Sequence, residues 1–183
     1  MRFVRGRRAS ILQSCCTMSE SHAIRCYDYV NAPYERVRDA LRADALGLLD
    51  RATTVATTRA EKVGAGLRVQ VGSLEVGTHA TITLHDMTED ASAPGIHGPR
   101  TRLMIEWQAT RAPSLFPVMK AQLSVYPLSA EETQLDFLGD YLPPGSVVGA
   151  AVDALVGRRI AEATVHQFVQ DVSARLREVV AKK

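Results

Sequence analysis

Between Leu67 and Tyr141 the chain repeatedly alternates apolar and polar positions with a period of two. Leu67, Val69 and Val71 alternate with Arg68 and Gln70, and Ala80, Ile82 and Leu84 with Thr81, Thr83 and His85. Leu103, Ile105, Trp107 and Ala109 alternate with Arg102, Met104, Glu106 and Gln108. The pattern returns at Met119, Ala121, Leu123 and Val125, and again at Leu135, Phe137, Gly139 and Tyr141 within Thr133–Leu142. Alternation puts every second side chain on the same face of a strand, so each segment predicts a strand with one apolar and one wet face. His22–Val30 (HAIRCYDYV), with its aromatic and β-branched residues, predicts a further strand at the start. Thr53–Thr58 is β-branched and fits a strand or a linker. Gly72-Ser73 marks a turn or bulge, and the polar stretch Thr88–Arg100 predicts a hairpin loop. Strands joined by short connections predict an antiparallel meander.

The period changes to 3.6 in two places. After Asn31-Ala32-Pro33, where proline suits a first helical turn, Tyr34, Val37 and Leu41 share a helix face. Leu46 and Leu49 support a second short helix over Ala43–Arg51. Pro143-Pro144-Gly145 then ends the last strand, and one long helix is predicted from about Val147 onward. In it Val165, Val169, Val172, Leu176 and Val179 form an amphipathic stripe. Traced back, the stripe meets Ala161 and Glu162, then Arg158, Ala154, Ala151 and Val147, with Gly157 at the changeover. Two arrangements fit. Either there is space over the sheet, lined in part by Arg158 and Glu162, or a kink at Gly157 turns Val148, Val152 and Leu155 inward and Arg158 out to solvent. The apolar face of the sheet needs a cover, and the C-terminal helix is the one predicted element long enough to supply it.

Length and charge narrow the classes. A chain of 183 residues with 46% hydrophobic residues carries one globular core. Residues 1–18 hold Arg2, Arg5, Arg7 and Arg8 and no acid; without them 18 of the 22 basic residues face 20 acidic ones. The remaining chain is mildly acidic, which argues against a nucleic-acid footprint. Residues 1–19 read as a disordered leader, or as the product of an upstream start codon with Met18 as the true start. The apolar run Ala9–Leu12 is too short for a secretory signal. No stretch has the length of a membrane helix. Residues 20–183 are read as a single domain. Cys15 and Cys16 are adjacent in the leader and Cys26 stands alone, so there is neither a disulfide framework nor metal-ligand spacing, and a reducing cytoplasm is the default location.

Two blocks carry a family resemblance. Tyr29-Val30-Asn31-Ala32-Pro33-Tyr34-Glu35-Arg36-Val37 gives the opening strand, Ala-Pro and helix. Leu135-Asp136-Phe137-Leu138-Gly139-Asp140-Tyr141-Leu142-Pro143-Pro144 gives the last strand before the long helix. Set at the two ends of a meander, they resemble the SRPBCC superfamily, which includes START domains, plant pollen-allergen-like proteins and polyketide cyclase/dehydrase-like proteins. The resemblance spans residues 20–183 and is greatest to uncharacterised bacterial members. It implies an α+β helix-grip fold: a curved antiparallel sheet of about six to seven strands wrapped around a long C-terminal helix, with two short helices after the first strand. It also implies an internal cavity, but no particular reaction, because one architecture hosts many functions.

The residues themselves supply no strong catalytic motif. There is no Gly-rich phosphate loop, no GxSxG and no metal-ligand spacing, so neither a metal nor a cofactor is expected. His79 and His85 lie roughly 20 Å apart along one strand pattern, too far to share a metal, and belong to the wet face. Trp107, Phe137 and Tyr141 lie on apolar faces and fit either core or the wall of a ligand pocket. Arg158 and Glu162 fit either a surface i, i+4 pair or an anchor and base at a cavity. Three functions remain open: binding of a small hydrophobic ligand such as a lipid or polyketide, a cyclase/dehydratase using Arg158, Glu162 and Tyr141, and a co-chaperone-like interaction module. The ligand-binding site is expected at Trp107, Phe137, Tyr141, Arg158 and Glu162.

Overall fold

The computed structural model describes residues 22–71, 80–92, 98–109, 119–141 and 150–182, with side chains for all of these except 57–71, 109, 141, 150–157 and 160. Strand β1 (His22–Val30) leads into a helical run α1 (Tyr34–Val71). Four strands follow, β2 (Ala80–Asp90), β3 (Arg100–Ala109), β4 (Met119–Pro127) and β5 (Thr133–Tyr141), and then helix α2 (Ala150–Ala181). The strands form one antiparallel sheet in the order β1-β5-β4-β3-β2. β2 to β5 make the expected meander, and β1 closes onto β5 at the far edge. Sheet, α1 and a C-terminal helix laid across one sheet face make this an α+β helix-grip fold.

Strand alternation sets the two faces of the sheet. Ile24, Cys26, Val30, Ile82, Leu103, Ile105, Trp107, Ala121, Leu123, Val125, Leu135 and Phe137 are buried on the inner face. Their neighbours Arg25, Met104, Lys120, Leu138 and Asp140 are exposed on the outer face. The register is regular except in β2, where Leu84 pairs with Ile105 and Asp86 with Met104, so one residue is bulged out. The bulge brings Met87 and Glu89 to the inner side, opposite Leu103 and Thr101. It also lets β2 run through Thr88 to Asp90, which the sequence pattern assigned to a loop.

The region after β1 departs from expectation. The two helices expected after β1 are present as two parts of the helical run Tyr34–Val71, separated at Asp44, whose backbone is non-helical (φ −159°, ψ 57°), but the second is much longer than Ala43–Arg51. The Asp44 carboxylate accepts a hydrogen bond from the Gly47 N–H at 3.0 Å, which makes it the N-cap of the second part. Neither Thr53–Thr58 nor Leu67–Val71 is a strand. Leu48, Leu49, Ala52, Thr53 and Ala56 are all buried, at the spacing of one helix face, so tertiary burial outweighs the β-branched preference of the threonines. Leu67–Val71 is a five-residue alternation, too short to oppose a helix already propagating into it. The described residues therefore hold five strands where about six to seven were expected. Gly72-Ser73, His79, residues 142–149 and residues 1–21 lie outside the described residues.

The lengthened α1 changes what covers the sheet. α2 packs on β1 and β5, and α1 packs on β2 and β4, with the two helices side by side. Both helices cover the sheet, rather than α2 alone. The start of α1 and the end of α2 are tied together by the Arg36 guanidinium, which donates to the Val180 carbonyl and satisfies an acceptor in the last turn of α2. Tyr34 Oη and Thr101 Oγ1, both buried, share a 2.7 Å hydrogen bond that fixes the first turn of α1 to β3.

Candidate functional site

The inner face is most aromatic where the sheet meets both helices. Trp107 projects from β3, Phe137 from β5 and Phe168 from α2. The Trp107 and Phe137 rings lie 5.7 Å apart with planes 24° from parallel. Phe168 stands edge-on to Trp107, with centroids 4.5 Å apart and planes at 90°. It meets Phe137 at 6.0 Å and 68°. Both offset and edge-to-face arrangements are favourable for aromatic quadrupoles. Phe137 and Phe168 are fully buried and Trp107 is 8% exposed.

The local sequence explains the positions of the rings. Phe137 and Gly139 share the inner face of β5, and a Cβ at position 139 would lie 2.9 Å from Phe137 Cε1 and 3.1 Å from Ala121 Cβ. The glycine leaves the room in which the Phe137 ring lies along its own strand. Trp107 stands opposite Ile82 on β2 and Met119 on β4. Its indole N–H donates to Thr53 Oγ1 at 3.2 Å, and the Thr53 hydroxyl donates to the Leu49 carbonyl at 2.9 Å. The polar atom of the aromatic cluster is thus matched inside the protein, and the rings offer faces and edges rather than hydrogen-bond donors.

A second, polar seam runs between β1 and α2. Cys26 Sγ lies 3.2 Å from His166 Nδ1. Two residues along β1, the Asp28 carboxylate accepts from Ser173 Oγ and faces Arg177, whose guanidinium also donates to the Tyr29 carbonyl. Burial pushes the Cys26 thiol above its ordinary pKa, with the negative charge of Asp28 adding to it. This seam orients α2 on the edge strand and holds the thiol in its protonated form.

The structure brings together two of the five expected site residues, Trp107 and Phe137. Tyr141 pairs through its backbone with His22 on β1 and Met119 on β4, and its side chain is outside the described residues. Arg158 and Glu162 form an i, i+4 pair at 2.8 Å with side chains 59% and 43% exposed. Ala161, between them in sequence, is buried. His85 is exposed and 3.2 Å from Glu106 on the outer face. Sequence reasoning missed Phe168 and Thr53. Phe168 follows Val165 by three residues and borders the valine stripe, a signal that was present; Thr53 was hidden by its β-branched surroundings. Among the described residues no cluster of three or more His, Cys, Asp or Glu could hold a metal, and no helix is long and apolar enough to cross a membrane.

No family model and no curated protein matches the chain. Solved structures do. The chain is similar to the Zhui aromatase/cyclase from Streptomyces sp. R1128, with TM-score 0.47 and 13% identity over 87% of this chain and 95% of that one. It is similar to a Thermus thermophilus protein, TTHA0849, with TM-score 0.44 and 15% identity over 85% and 97%. It is also similar to norcoclaurine synthase from Thalictrum flavum, seen in complex with dopamine and hydroxybenzaldehyde, with TM-score 0.37 and 11% identity over 97% of each chain. These neighbours have the helix-grip fold. No residue role passes from them to this chain.

Proposed function

We propose that the protein binds a small hydrophobic ligand between the inner face of the sheet and the two helices, with Trp107 and Phe137 as the sheet-side wall. The observation behind this reading is the aromatic cluster at the junction of β3, β5, α1 and α2, whose single polar atom is already bonded to Thr53. An apolar, aromatic-lined face between separate elements is a common setting for a small-molecule site. One turn before Val165, Ala161 is buried among the described side chains of α2. A cyclase reading needs Arg158, Glu162 and Tyr141 directed together at the ligand, and two of these are exposed. Trp107 is the only tryptophan in the chain, so its fluorescence reports on this face alone. Titration with a fatty acid and with naphthalene, together with native mass spectrometry of the purified protein, tests the reading. A saturable one-to-one change in Trp107 emission is expected. No saturable change with either probe, and no co-purifying ligand, would overturn it.

A second reading has its own observation. Leu138 and Met104, 49% and 42% exposed, flank Gln122 on the outer face of the sheet. Neighbouring exposed apolar side chains are the feature expected of a protein-interaction module. Replacing both by Ser leaves ligand binding intact and weakens a protein contact if that reading is correct.

A further inference from the structure

We propose that Arg100 and Arg102 form a phosphate-binding site on the outer face of the sheet, the face opposite the aromatic cluster. Thr101 and Leu103 are buried on the inner face, so strand alternation turns Arg100 and Arg102 outward. Two residues of strand set them about 7 Å apart along β3. One carboxylate serves both. Arg100 Nη2 donates to Asp90 Oδ2 at 2.9 Å, and Arg102 Nη2 donates to Asp90 Oδ1 at 3.1 Å. The Nε–H of each guanidinium is buried and has no hydrogen-bond partner among the described residues. Arg25 and Arg42 are matched differently. With side chains 67% and 52% exposed, they hold Asp136 and Glu89 respectively, each through both Nε and Nη2. Arg100 and Arg102 are 18% and 34% exposed, yet they share Asp90 through one nitrogen each. Burial raises the need for partners, so this pairing is the reverse of what desolvation requires. Two guanidinium charges against one carboxylate also leave a positive charge uncompensated in the cluster.

The next strand adds donors. Ser124, the β4 partner of Arg102, is buried, and its Oγ accepts from Gln122 Nε2 at 2.8 Å, which leaves its own hydrogen to donate. Tyr126 follows on the same face of β4, and burial, with Asp136 adding, pushes its phenol above the ordinary pKa, so it stays a donor. Forked donors with an uncompensated positive charge suit a phosphate group, whose acceptor oxygens are numerous enough to engage both arginines. A carboxylate would offer no more than Asp90 already supplies. The guanidinium groups are partly exposed, so a rotamer change in the stem brings the Nε–H edge to an oxyanion while Asp90 retains Nη2. A soluble phosphate ester and the headgroup of an anionic lipid share this chemistry. The site is independent of the ligand-binding reading, because it uses the other face of the sheet.

The test follows the arginine Nε–H signals of the isotope-labelled protein by NMR during titration with inorganic phosphate and with phenyl phosphate. Acetate and chloride at matched ionic strength are the controls. Saturable shifts at Arg100 and Arg102 are expected with the phosphates and not with the controls. Arg100→Gln and Arg102→Gln should each weaken phosphate binding about tenfold or more. Arg42→Gln, which breaks an exposed matched pair, should leave it within about twofold. The wild-type titration decides by itself where a variant folds poorly. Sedimentation with phosphatidylcholine vesicles, with and without phosphatidate, separates the two sources. Pelleting that requires phosphatidate and is lost in Arg102→Gln assigns the site to a lipid headgroup. Saturable binding of phenyl phosphate without pelleting assigns it to a soluble ester. Shifts that do not saturate, shifts equally large at Arg25 and Arg42, or phosphate affinity unchanged in both Gln variants would overturn the inference.

Discussion

Trp107 Nε1 and Thr53 Oγ1 are 3.2 Å apart, and this contact joins the centre of the sheet to a helix that the sequence pattern did not place there. Both residues are buried. The pair is expected to couple the two elements measurably. In a double-mutant cycle of Trp107→Phe and Thr53→Val, followed by urea unfolding, the interaction energy should be about 0.5–1.5 kcal/mol. Strict additivity would show that the hydrogen bond contributes nothing in solution.

Gly139 has no room for a side chain. A Cβ there meets Phe137 Cε1 at 2.9 Å, and Ala121 Cβ limits movement the other way at 3.1 Å. Gly139→Ala should cost about 1–3 kcal/mol through displacement of the Phe137 ring, and should alter Trp107 emission because the two rings are stacked. A neutral effect on both would show that Phe137 is held more loosely than the packing indicates.

Asp90 is held below the usual carboxylate range by its hydrogen bond from Arg100, with Arg102 contributing. A lowered folded pKa means that the carboxylate stabilises the fold at pH values above the unfolded value of about 3.9 and stops doing so as pH falls through the folded value. The difference in Tm between wild type and Asp90→Asn should be constant above pH ~5 and should narrow below pH ~4. A difference that widens in acid would reverse the sign and remove Asp90 from this role.

The Cys26 thiol is raised, first by burial and then by Asp28. Because the folded state favours the thiol, its contribution is present below the unfolded pKa of about 8.5 and declines as pH rises through the higher folded value. Alkylation of Cys26 by iodoacetamide at pH 8, followed by peptide mass spectrometry, should be about tenfold or more slower than that of a free cysteine and should recover fully in urea. Rapid modification of the native protein would mean that His166 activates the thiol instead of merely contacting it.

Arg158 and Glu162 are exposed and paired. Such a pair contributes a few tenths of a kcal/mol. Arg158→Ala should leave probe binding within about twofold of wild type. A large loss of affinity would bring the pair back into the ligand site.

Much of the fold was legible because it depends on local periodicity. The period-two segments from Ala80 to Tyr141 became strands, with Ile105, Trp107, Leu123, Leu135 and Phe137 on the buried face as the alternation required. β1 runs from His22 to Val30 as its composition indicated. The Val165, Val169, Val172 and Leu176 stripe is buried along α2. Period also placed Trp107 and Phe137 on the same face of the sheet, which is why two of the three rings of the aromatic cluster were legible in the sequence.

Other features depended on contacts between residues far apart in sequence. Thr53 and its neighbours are helical because Leu49, Ala52 and Ala56 bury against the rest of the core, an energy that local β-propensity does not contain. The bulge at Leu84/Asp86 arises from pairing with β3 and shifts Met87 and Glu89 to the inner side. Whether Arg158 faced a cavity or solvent was open in the sequence, since a helix can rotate by a fraction of a turn at little local cost; in the structure Ala161 is buried and the Arg158 side chain is 59% exposed. Periodicity and polarity along the chain limit which residues can be inside. Which of them touch is a long-range matter, because the meeting of Trp107, Phe137, Phe168 and Thr53 requires β3, β5, α2 and α1 to converge on one point.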